Sequence, residues 1–215
     1  MMLYDCGKPD EREQGIAAAV EAVQRGDLVV MPTDTVYGIG ADAFKTWAVR
    51  SLLNAKERDS PTPVLVGSRQ TLDGLVYTLS SAAQDLVEAF WPGALTIIVR
   101  HAPSLQWDLG DGGSGTVAVR MPLHPVALEV LRQTGPMAVS SANKAGHPLP
   151  RTAEEARDQL GYSVSVYLES QQFLDLPPST IVDLTGETPT VLRPGAISLE
   201  RLREVVPSIQ APETP

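Results

Sequence analysis

The chain has 215 residues, of which 43% are hydrophobic and 20% charged, with a net charge of −9 and one cysteine. This composition is typical of a folded domain with a sizeable core, and a single cysteine excludes a disulfide framework and a thiolate zinc cluster. The longest apolar run is five residues, Ile16 to Val20, far short of the ~20 that cross a bilayer, so we expect a cytoplasmic protein without a membrane partner.

Apolar periodicity and helix-end signals predict the elements of the first half of the chain. Apolar residues recur at helical spacing before Gly26, and the apolar run at 28–31 ends at Pro32. Ser81 and Gln84 have the spacing of a capping box at the start of another helix. In chain order we predict a helix at 12–25, a strand at 28–31, a helix at 46–56, a strand at 64–66, a helix at 80–91 and a strand at 94–100.

The second half begins with a Gly- and Asp-rich loop at 101–115. TVAVR then alternates in polarity, which predicts a strand with Thr116, Ala118 and Arg120 on one face. The elements predicted are a strand at 116–120, a helix at 125–133, a strand at 137–140, a helix capped by Thr152, strands at 164–168, 179–184 and 190–193, and a helix at 198–206. We therefore expect an α/β fold with a mixed sheet, as a single domain over 1–206 with a flexible Pro-rich tail at 207–215.

Several common chemical motifs are missing or lie in the wrong context. Gly110, Gly112 and Gly115 fit the G-x-G-x-x-G spacing, but a predicted strand rather than a helix follows them, so they do not indicate a dinucleotide fold. The sequence has no Walker A motif and no nucleophile elbow. Its three histidines lie far apart, which does not favour a zinc site.

The first polar motif of chemical interest, PTDTVYGIG, follows the first predicted strand. Thr33 and Thr35 flank Asp34, and Gly38 and Gly40 would let a ligand approach the backbone. The residues leave two interpretations open: a ligand site, or a turn whose hydroxyl groups bond to their own backbone.

Further cationic and hydroxyl side chains follow other predicted elements. Lys56 and Arg58 end a helix and could grip phosphate oxygens, and Arg120 ends a strand and could clamp a carboxylate. Each could equally be a solvated surface charge. The turn SSAN at 140–143 could present backbone N–H groups to an anion, and Ser179, Thr180 and Arg193 complete the set.

Basic residues are concentrated in two windows of this acidic chain. Residues 44–69 hold five basic and two acidic side chains, and residues 116–151 hold four basic and one acidic, so each window has a net charge of +3. If the fold brings both windows to one cleft, that cleft suits phosphates or carboxylates.

Taken in order, the motifs PTDTVYGIG, KER, PVLV, WPGALT, VAVRMPLHP, SSAN, STIVD and LRPGAI resemble those of the YrdC-type threonylcarbamoyl-AMP synthases. The resemblance covers about residues 26–198. It implies the YrdC-like fold, a twisted mixed sheet flanked by helices with a concave, positively charged groove. It also implies a reaction that converts L-threonine, bicarbonate and ATP to threonylcarbamoyl-AMP and pyrophosphate, for a separate complex that modifies the adenosine beside the tRNA anticodon.

The same resemblance implies a role for individual residues. Threonine would be bound by Thr35, Arg120, Val139 and Ser179. ATP would be bound by Lys56, Arg58, Thr62, Thr116, Ser141, Asn143 and Arg193, with Lys56 and Arg58 as the catalytic pair. Mg²⁺ would accompany ATP, with no metal ligand from a protein side chain. Asp59, Gly67 and Leu149 depart from residues that are common in the family at those positions.

Two other functions remain open from the sequence. One is an RNA-binding module without catalysis, in which the basic groove grips a phosphate backbone. The other is a related carbamoyl- or adenylyl-transfer enzyme that uses a different small acid. RNA binding in the groove would also be compatible with the synthase.

Overall fold

The computed structural model describes residues 1–57, 61–170 and 177–212. The strands in this part of the chain are β1 (Met2–Asp5), β2 (Val29–Met31), β3 (Gly38–Asp42), β4 (Val64–Leu65), β5 (Leu95–Arg100), β6 (Thr116–Arg120), β7 (Met137–Ser141), β8 (Val166–Glu169), β9 (Thr180–Asp183) and β10 (Thr190–Arg193). The helices are α1 (Pro9–Arg25), α2 (Thr46–Lys56), α3 (Arg69–Leu75), α4 (Ser81–Phe90), α5 (Pro125–Thr134), α6 (Ala153–Leu160) and α7 (Leu199–Val205), and a short 3₁₀ turn follows α6.

The strands form one mixed sheet of ten strands in the order β1-β8-β2-β3-β7-β4-β6-β5-β9-β10. Four neighbouring pairs are parallel, namely β1–β8, β2–β8, β4–β6 and β5–β9, and the other neighbouring pairs are antiparallel. The expected mixed α/β class is therefore confirmed.

The two faces of the sheet are covered unequally. Helices α2, α3, α4, α6 and α7 bury one face, which includes Val64, Val119 and Ala138. On the other face, α1 and α5 pack over β8, β2, β3 and β7 through a separate apolar cluster. Over β6, β5 and β9 this second face is only partly covered, because Ala118 and Ile98 remain half-buried there.

Local sequence signals explain where most helices begin and end. Pro9 opens the first turn of α1, and Gly26 ends it in the left-handed conformation with φ of +87°, which favours glycine. Thr152 caps α6 by accepting a hydrogen bond from the backbone N–H of Glu155. For α4 the predicted cap is wrong by one residue, since the hydroxyl of Ser80, not Ser81, accepts from the N–H of Ala83.

Three elements were not predicted from the sequence. Strand β1 lies at the edge of the sheet, strand β3 forms the end of the motif PTDTVYGIG and continues to Asp42, and α3 is a short helix capped by Ser68. The space beside Gly38 and Gly40 is filled by Val139 and Met137. These glycines therefore permit side-chain packing between strands, rather than the approach of a ligand on that side.

The flexible tail expected from residue 207 does not begin there. Ile209 is 1% exposed, and Gln210 pairs with Thr190 of β10. Burial of the isoleucine side chain and backbone hydrogen bonds to the sheet edge hold residues 207–210 in place.

None of the helices in the described ranges combines the length and the apolar content that a bilayer crossing requires.

Candidate active site

The register of the central strands identifies an open face of the sheet. Thr116, Ala118 and Arg120 alternate along β6, as predicted, and Ile98 and Arg100 of β5 lie opposite Ala118 and Thr116. Directly opposite residues of paired strands point to the same face. We call the surface that these five side chains form the open face. Arg120 lies four residue steps along the strand from Thr116, which is about 13 Å.

Arg120 is held at the inner end of the open face by three acceptors. Its Nη1 donates to Thr35 Oγ1 at 2.8 Å, its Nη2 to Asp34 Oδ1 at 2.5 Å, and its Nε to the carbonyl oxygen of Gly93 at 3.0 Å. The structure thus brings Thr35 and Arg120, which are 85 residues apart in sequence, into direct contact.

The loop that carries Thr35 joins β2 to β3 and is fixed at both ends. Thr33 Oγ1 donates to the carbonyl of Val36 and accepts from the N–H groups of Thr35 and Val36. The carbonyl of Tyr37 accepts from the N–H of Ala142 at 2.8 Å. The interpretation as a turn whose hydroxyl bonds to its own backbone is confirmed at Thr33, and this turn places Thr35 against Arg120; the ligand site stays a prediction.

Ser179 and Arg193 form a second group beside the first. Arg193 Nη2 donates to the carbonyl oxygen of Ser179 at 2.8 Å and to its hydroxyl at 3.0 Å. The same hydroxyl lies 2.8 Å from Thr96 Oγ1 on β5. Arg193 is exposed, whereas Ser179 is buried.

Lys56, Ser141 and Asn143 form a third group. The Lys56 ammonium donates to the carbonyl oxygens of Ser141 and Asn143, the latter at 2.7 Å, and lies 3.2 Å from Ser141 Oγ. Ser141 Oγ donates to Asn143 Oδ1 at 2.6 Å. Since Lys56 is 3% exposed, its charge holds the SSAN turn in shape at the end of β7.

The remaining predicted residues lie in strands or beside them. Val139 lies two residues before Ser141 in β7 and pairs with Gly40. Thr62 precedes β4, and its N–H donates to the carbonyl of Leu109. Thr116 begins β6, and its hydroxyl lies 3.0 Å from Ser114 Oγ. Arg58, by contrast, falls outside the described residues, so its predicted role in ATP binding stays a prediction.

The predicted threonine and ATP residues differ in exposure. Thr35, Arg120, Val139 and Ser179 are each only 5–6% exposed. Of the predicted ATP residues, Thr116, Ser141 and Asn143 are half-buried and Arg193 is exposed, while Lys56 and Thr62 are buried. The predicted threonine residues are therefore all buried, whereas the predicted ATP residues range from buried to exposed.

Burial and neighbouring charges act together on the two arginines. Burial lowers the pKa of Arg120, the Asp34 carboxylate opposes that change, and the positive charge of Arg193 adds to it. Burial likewise lowers the pKa of Arg193. A guanidinium stays protonated in proteins despite such shifts, so both side chains can bind an anion.

Three groups outside the predicted set of site residues contact these side chains: the Asp34 carboxylate, the hydroxyl of Thr96 and the carbonyl of Gly93. Asp34 is part of PTDTVYGIG, and Gly93 and Thr96 are part of WPGALT. The motifs therefore indicated the right segments of the chain but not which of their atoms contact the site residues. Two cavities of the described chain are lined mostly by other residues, although the second reaches Arg100 of the open face. One of about 440 Å³ includes Cys6 and Arg12, and one of about 470 Å³ includes Arg100 and Trp107.

Gly67, one of the three departures from the family pattern, has a structural reason. A Cβ atom at this position would lie 2.7 Å from the backbone nitrogen of Arg132 in α5. Because backbone atoms cannot move aside as a flexible side chain can, this close approach between α5 and the end of β4 requires glycine.

Comparisons with known proteins agree with the fold and the motifs. The family model Sua5/YciO/YrdC, described as "Telomere recombination", matches residues 21–195. A Mycobacterium tuberculosis protein named "Putative threonylcarbamoyl-AMP synthase" is 60% identical over 94% of this chain and 94% of its own. The threonylcarbamoyl-AMP synthase of Bacillus subtilis is 36% identical over 89% of this chain, which spans 56% of that relative.

Solved structures give the same result. The crystal structure of Pyrococcus abyssi Sua5 complexed with L-threonine matches 98% of this chain with a TM-score of 0.91 and 32% identity, and the match spans 62% of the Sua5 chain. The Escherichia coli YciO structure matches 94% of this chain with a TM-score of 0.80 and 25% identity. The chain therefore belongs to the Sua5/YciO/YrdC family, whose curated relatives include threonylcarbamoyl-AMP synthases.

Proposed function

We propose that this protein converts L-threonine, bicarbonate and ATP to threonylcarbamoyl-AMP and pyrophosphate. The observation that carries the proposal is the contact between the buried side chains of Thr35 and Arg120 at one end of the open face. Two relatives support it: the Bacillus subtilis protein is named for this activity, and the Pyrococcus abyssi structure was solved with L-threonine.

Threonine binds, in this proposal, with its carboxylate against Arg120. A guanidinium can donate two parallel hydrogen bonds to a carboxylate, which fixes both the position and the orientation of the amino acid. The hydroxyls of Thr35 and Ser179 bind the other polar groups of the substrate, and Val139 contacts it through its main chain.

The chemistry proceeds in two steps. The amine of threonine attacks the carbon of bicarbonate, and loss of water gives a carbamate. A carbamate oxygen then attacks the α-phosphorus of ATP, and the bond to the β-phosphate breaks to release pyrophosphate. The protein contributes mainly by aligning the carbamate with the α-phosphate and by stabilising the charge on the leaving group.

The nucleotide lies, in this proposal, between the threonine site and the residues around Thr116. The distance of about 13 Å along the strand from Arg120 to Thr116 leaves room for a nucleotide beside the amino acid. Ser141, Asn143, Thr62 and Thr116 bind the nucleotide, and Lys56, Arg58 and Arg193 offset phosphate charge.

Mg²⁺ accompanies ATP in this proposal. In the described ranges, no group of three or more His, Cys, Asp and Glu side chains is arranged to hold a metal ion. A magnesium ion is commonly held by substrate phosphates and water with few protein ligands, and in this proposal the ion arrives with the nucleotide. Bound in this way, it would stabilise charge on the phosphates.

The product implies the next partner. Threonylcarbamoyl-AMP is a mixed anhydride, and we propose that it passes to a transfer complex in the cytoplasm that modifies tRNA. RNA contact along the groove is compatible with this role, but the reaction itself requires none.

The test is an assay of pyrophosphate release by the purified protein with ATP, Mg²⁺, bicarbonate and each amino acid in turn. We expect release with threonine alone, and loss of release when bicarbonate is omitted. Release with a different acid would favour the related transferase. No release with any acid, together with RNA binding that weakens steeply with salt, would favour the RNA-binding module.

A further inference from the structure

Asp34 occupies an unusual position for a carboxylate. Its side chain is 11% exposed and lies 2.5 Å from Arg120, whose side chain is 8% exposed. A charge that is removed from water in this way is tolerated when an opposite charge and hydrogen bonds compensate it. The pair therefore fixes both side chains relative to each other.

His124 is a second titratable group near Asp34. Burial lowers the pKa of His124, so this ring is neutral at pH 7. Arg120 is accordingly the cation that pairs with Asp34 at neutral pH.

The ion pair with Asp34 leaves some N–H groups of Arg120 available to bind a ligand. The Nε–H donates to Gly93, one N–H of Nη1 donates to Thr35, and one N–H of Nη2 donates to Asp34. A guanidinium has five N–H groups, so one further N–H remains on each terminal nitrogen. Neither has an acceptor among the described residues. Two such N–H groups match the two oxygens of a carboxylate.

We propose that Asp34 is a positioning residue for the amino-acid substrate: it holds the Arg120 guanidinium in the orientation that presents two N–H groups to the threonine carboxylate. This inference rests on the proposed function. Gly93 and Thr35 accept from the other two nitrogens of the guanidinium, but both are neutral acceptors, and only Asp34 is a charged acceptor. Asp34 acts through Arg120 and does not itself contact the reacting atoms.

Orientation and charge predict opposite effects when Asp34 is replaced. If Asp34 mainly reduced the positive potential at Arg120, its removal would strengthen binding of the threonine carboxylate. If Asp34 mainly holds the Arg120 guanidinium in its orientation, its removal weakens binding of the threonine carboxylate. A charge-assisted hydrogen bond at a buried site contributes about 1.5–3 kcal/mol, a factor of roughly 10 to 100, and we expect the orientation effect to dominate.

The experiment compares D34N and D34A with wild type in the pyrophosphate assay, with threonine and ATP varied separately. Asn keeps an oxygen acceptor for Nη2, whereas Ala removes it. We expect the KM for threonine to rise roughly 10-fold in D34N and up to roughly 100-fold in D34A, with the KM for ATP within about twofold of wild type. If D34A does not fold, D34N and calorimetric titration with threonine provide the same comparison.

Two further variants control the interpretation. Asp42 pairs with Lys45 at 2.5 Å in a half-buried ion pair that lies outside the three groups described above. The D42N change removes the carboxylate charge from that ion pair, so it should leave the KM for threonine unchanged. In an R120K background the added D34N change should have little further effect, because both act on one interaction.

Three results would overturn the inference. They are an unchanged or lowered KM for threonine in folded D34N, an equal rise for threonine and ATP, and full additivity with R120K. A wild-type protein that is inactive with threonine overturns the proposed function and this inference together. An active wild type with unaffected Asp34 variants overturns the inference alone.

Discussion

Cys6 shows how strongly local burial can change a single residue. The thiol is half-buried near three carboxylates, and its pKa is raised to about 11, mainly by burial, with Arg12 opposing the shift. Only the thiolate reacts with alkylating reagents. At pH 8 the thiolate fraction is therefore roughly a hundredfold lower than for a thiol of pKa about 9.

We therefore predict that Cys6 in the native protein is alkylated slowly at pH 8 and progressively faster up to about pH 11. The measurement is the rate of iodoacetamide labelling against pH, by mass spectrometry. The denatured protein is the control, with a rate that rises at lower pH. Native and denatured rates that coincide across this range would contradict the prediction.

For individual residues, the sequence indicated which side chains are candidates for the site better than it indicated which side chains contact each other. Thr35 follows a predicted strand and Arg120 ends one, which made both candidates for ligand contact, and the family resemblance implied their role in binding threonine. Asp34 was visible in the motif, but nothing in its local pattern indicates an ion pair across 86 positions. Contacts of that kind depend on the order of the strands in the sheet. That order cannot be read from local patterns in a single sequence.

At the scale of elements, the turn between β10 and α7 fixes the position of Arg193. The N–H of Ala196 donates to the carbonyl of Pro178, and Ile197 exchanges hydrogen bonds with Thr180. A Cβ atom on Gly195 would lie 2.3 Å from the Pro178 carbonyl oxygen. Only glycine allows this turn to approach the start of β9.

We predict that G195A lowers the free energy of unfolding by about 1–3 kcal/mol, since the added methyl group meets backbone atoms. It should also raise the KM for ATP, because the displaced turn carries Arg193. The matched control is G186A in the β9–β10 loop, where a Cβ atom would meet nothing within 4 Å. Chemical denaturation and the pyrophosphate assay measure both effects, and equal behaviour of the two variants would refute the argument.

Strand β3 was missed from the sequence for a physical reason. The β3 sequence, GIGAD, has little β-branched or aromatic content, and it is a strand because β2 and β7 pair with both of its edges. By contrast, the start of α6 was predicted correctly from its cap at Thr152. Local signals suffice where the chain makes its own contacts, and they fail where neighbouring strands decide the conformation.

At the scale of the whole molecule, unequal covering of the sheet creates the candidate site. Five helices bury one face, and α1 with α5 cover only part of the other. The sequence indicated the class of fold through its alternating elements, but not which face would remain open. That property follows from strand order and register, which depend on contacts between distant segments.

The C-terminal segment contributes to this architecture by covering the outer edge of the sheet. The N–H of Val191 donates to the carbonyl of Gln210, whose own N–H donates to the carbonyl of Pro189. Arg203 Nε also donates to the carbonyl of Ile209 at 2.9 Å. The segment thus pairs with β10, the strand that ends at Arg193.

We predict that truncation after Val206 destabilises the protein, whereas truncation after Pro212 does not. The first removes a buried isoleucine, which is worth about 2–3 kcal/mol, along with the edge hydrogen bonds, while the second leaves all of these contacts intact. Thermal unfolding should show a lower Tm for the shorter protein, and the assay should show a raised KM for ATP, because β10 loses its outer partner. Equal Tm values for the two truncated proteins would mean that residues 207–212 do not stabilise the sheet edge in solution.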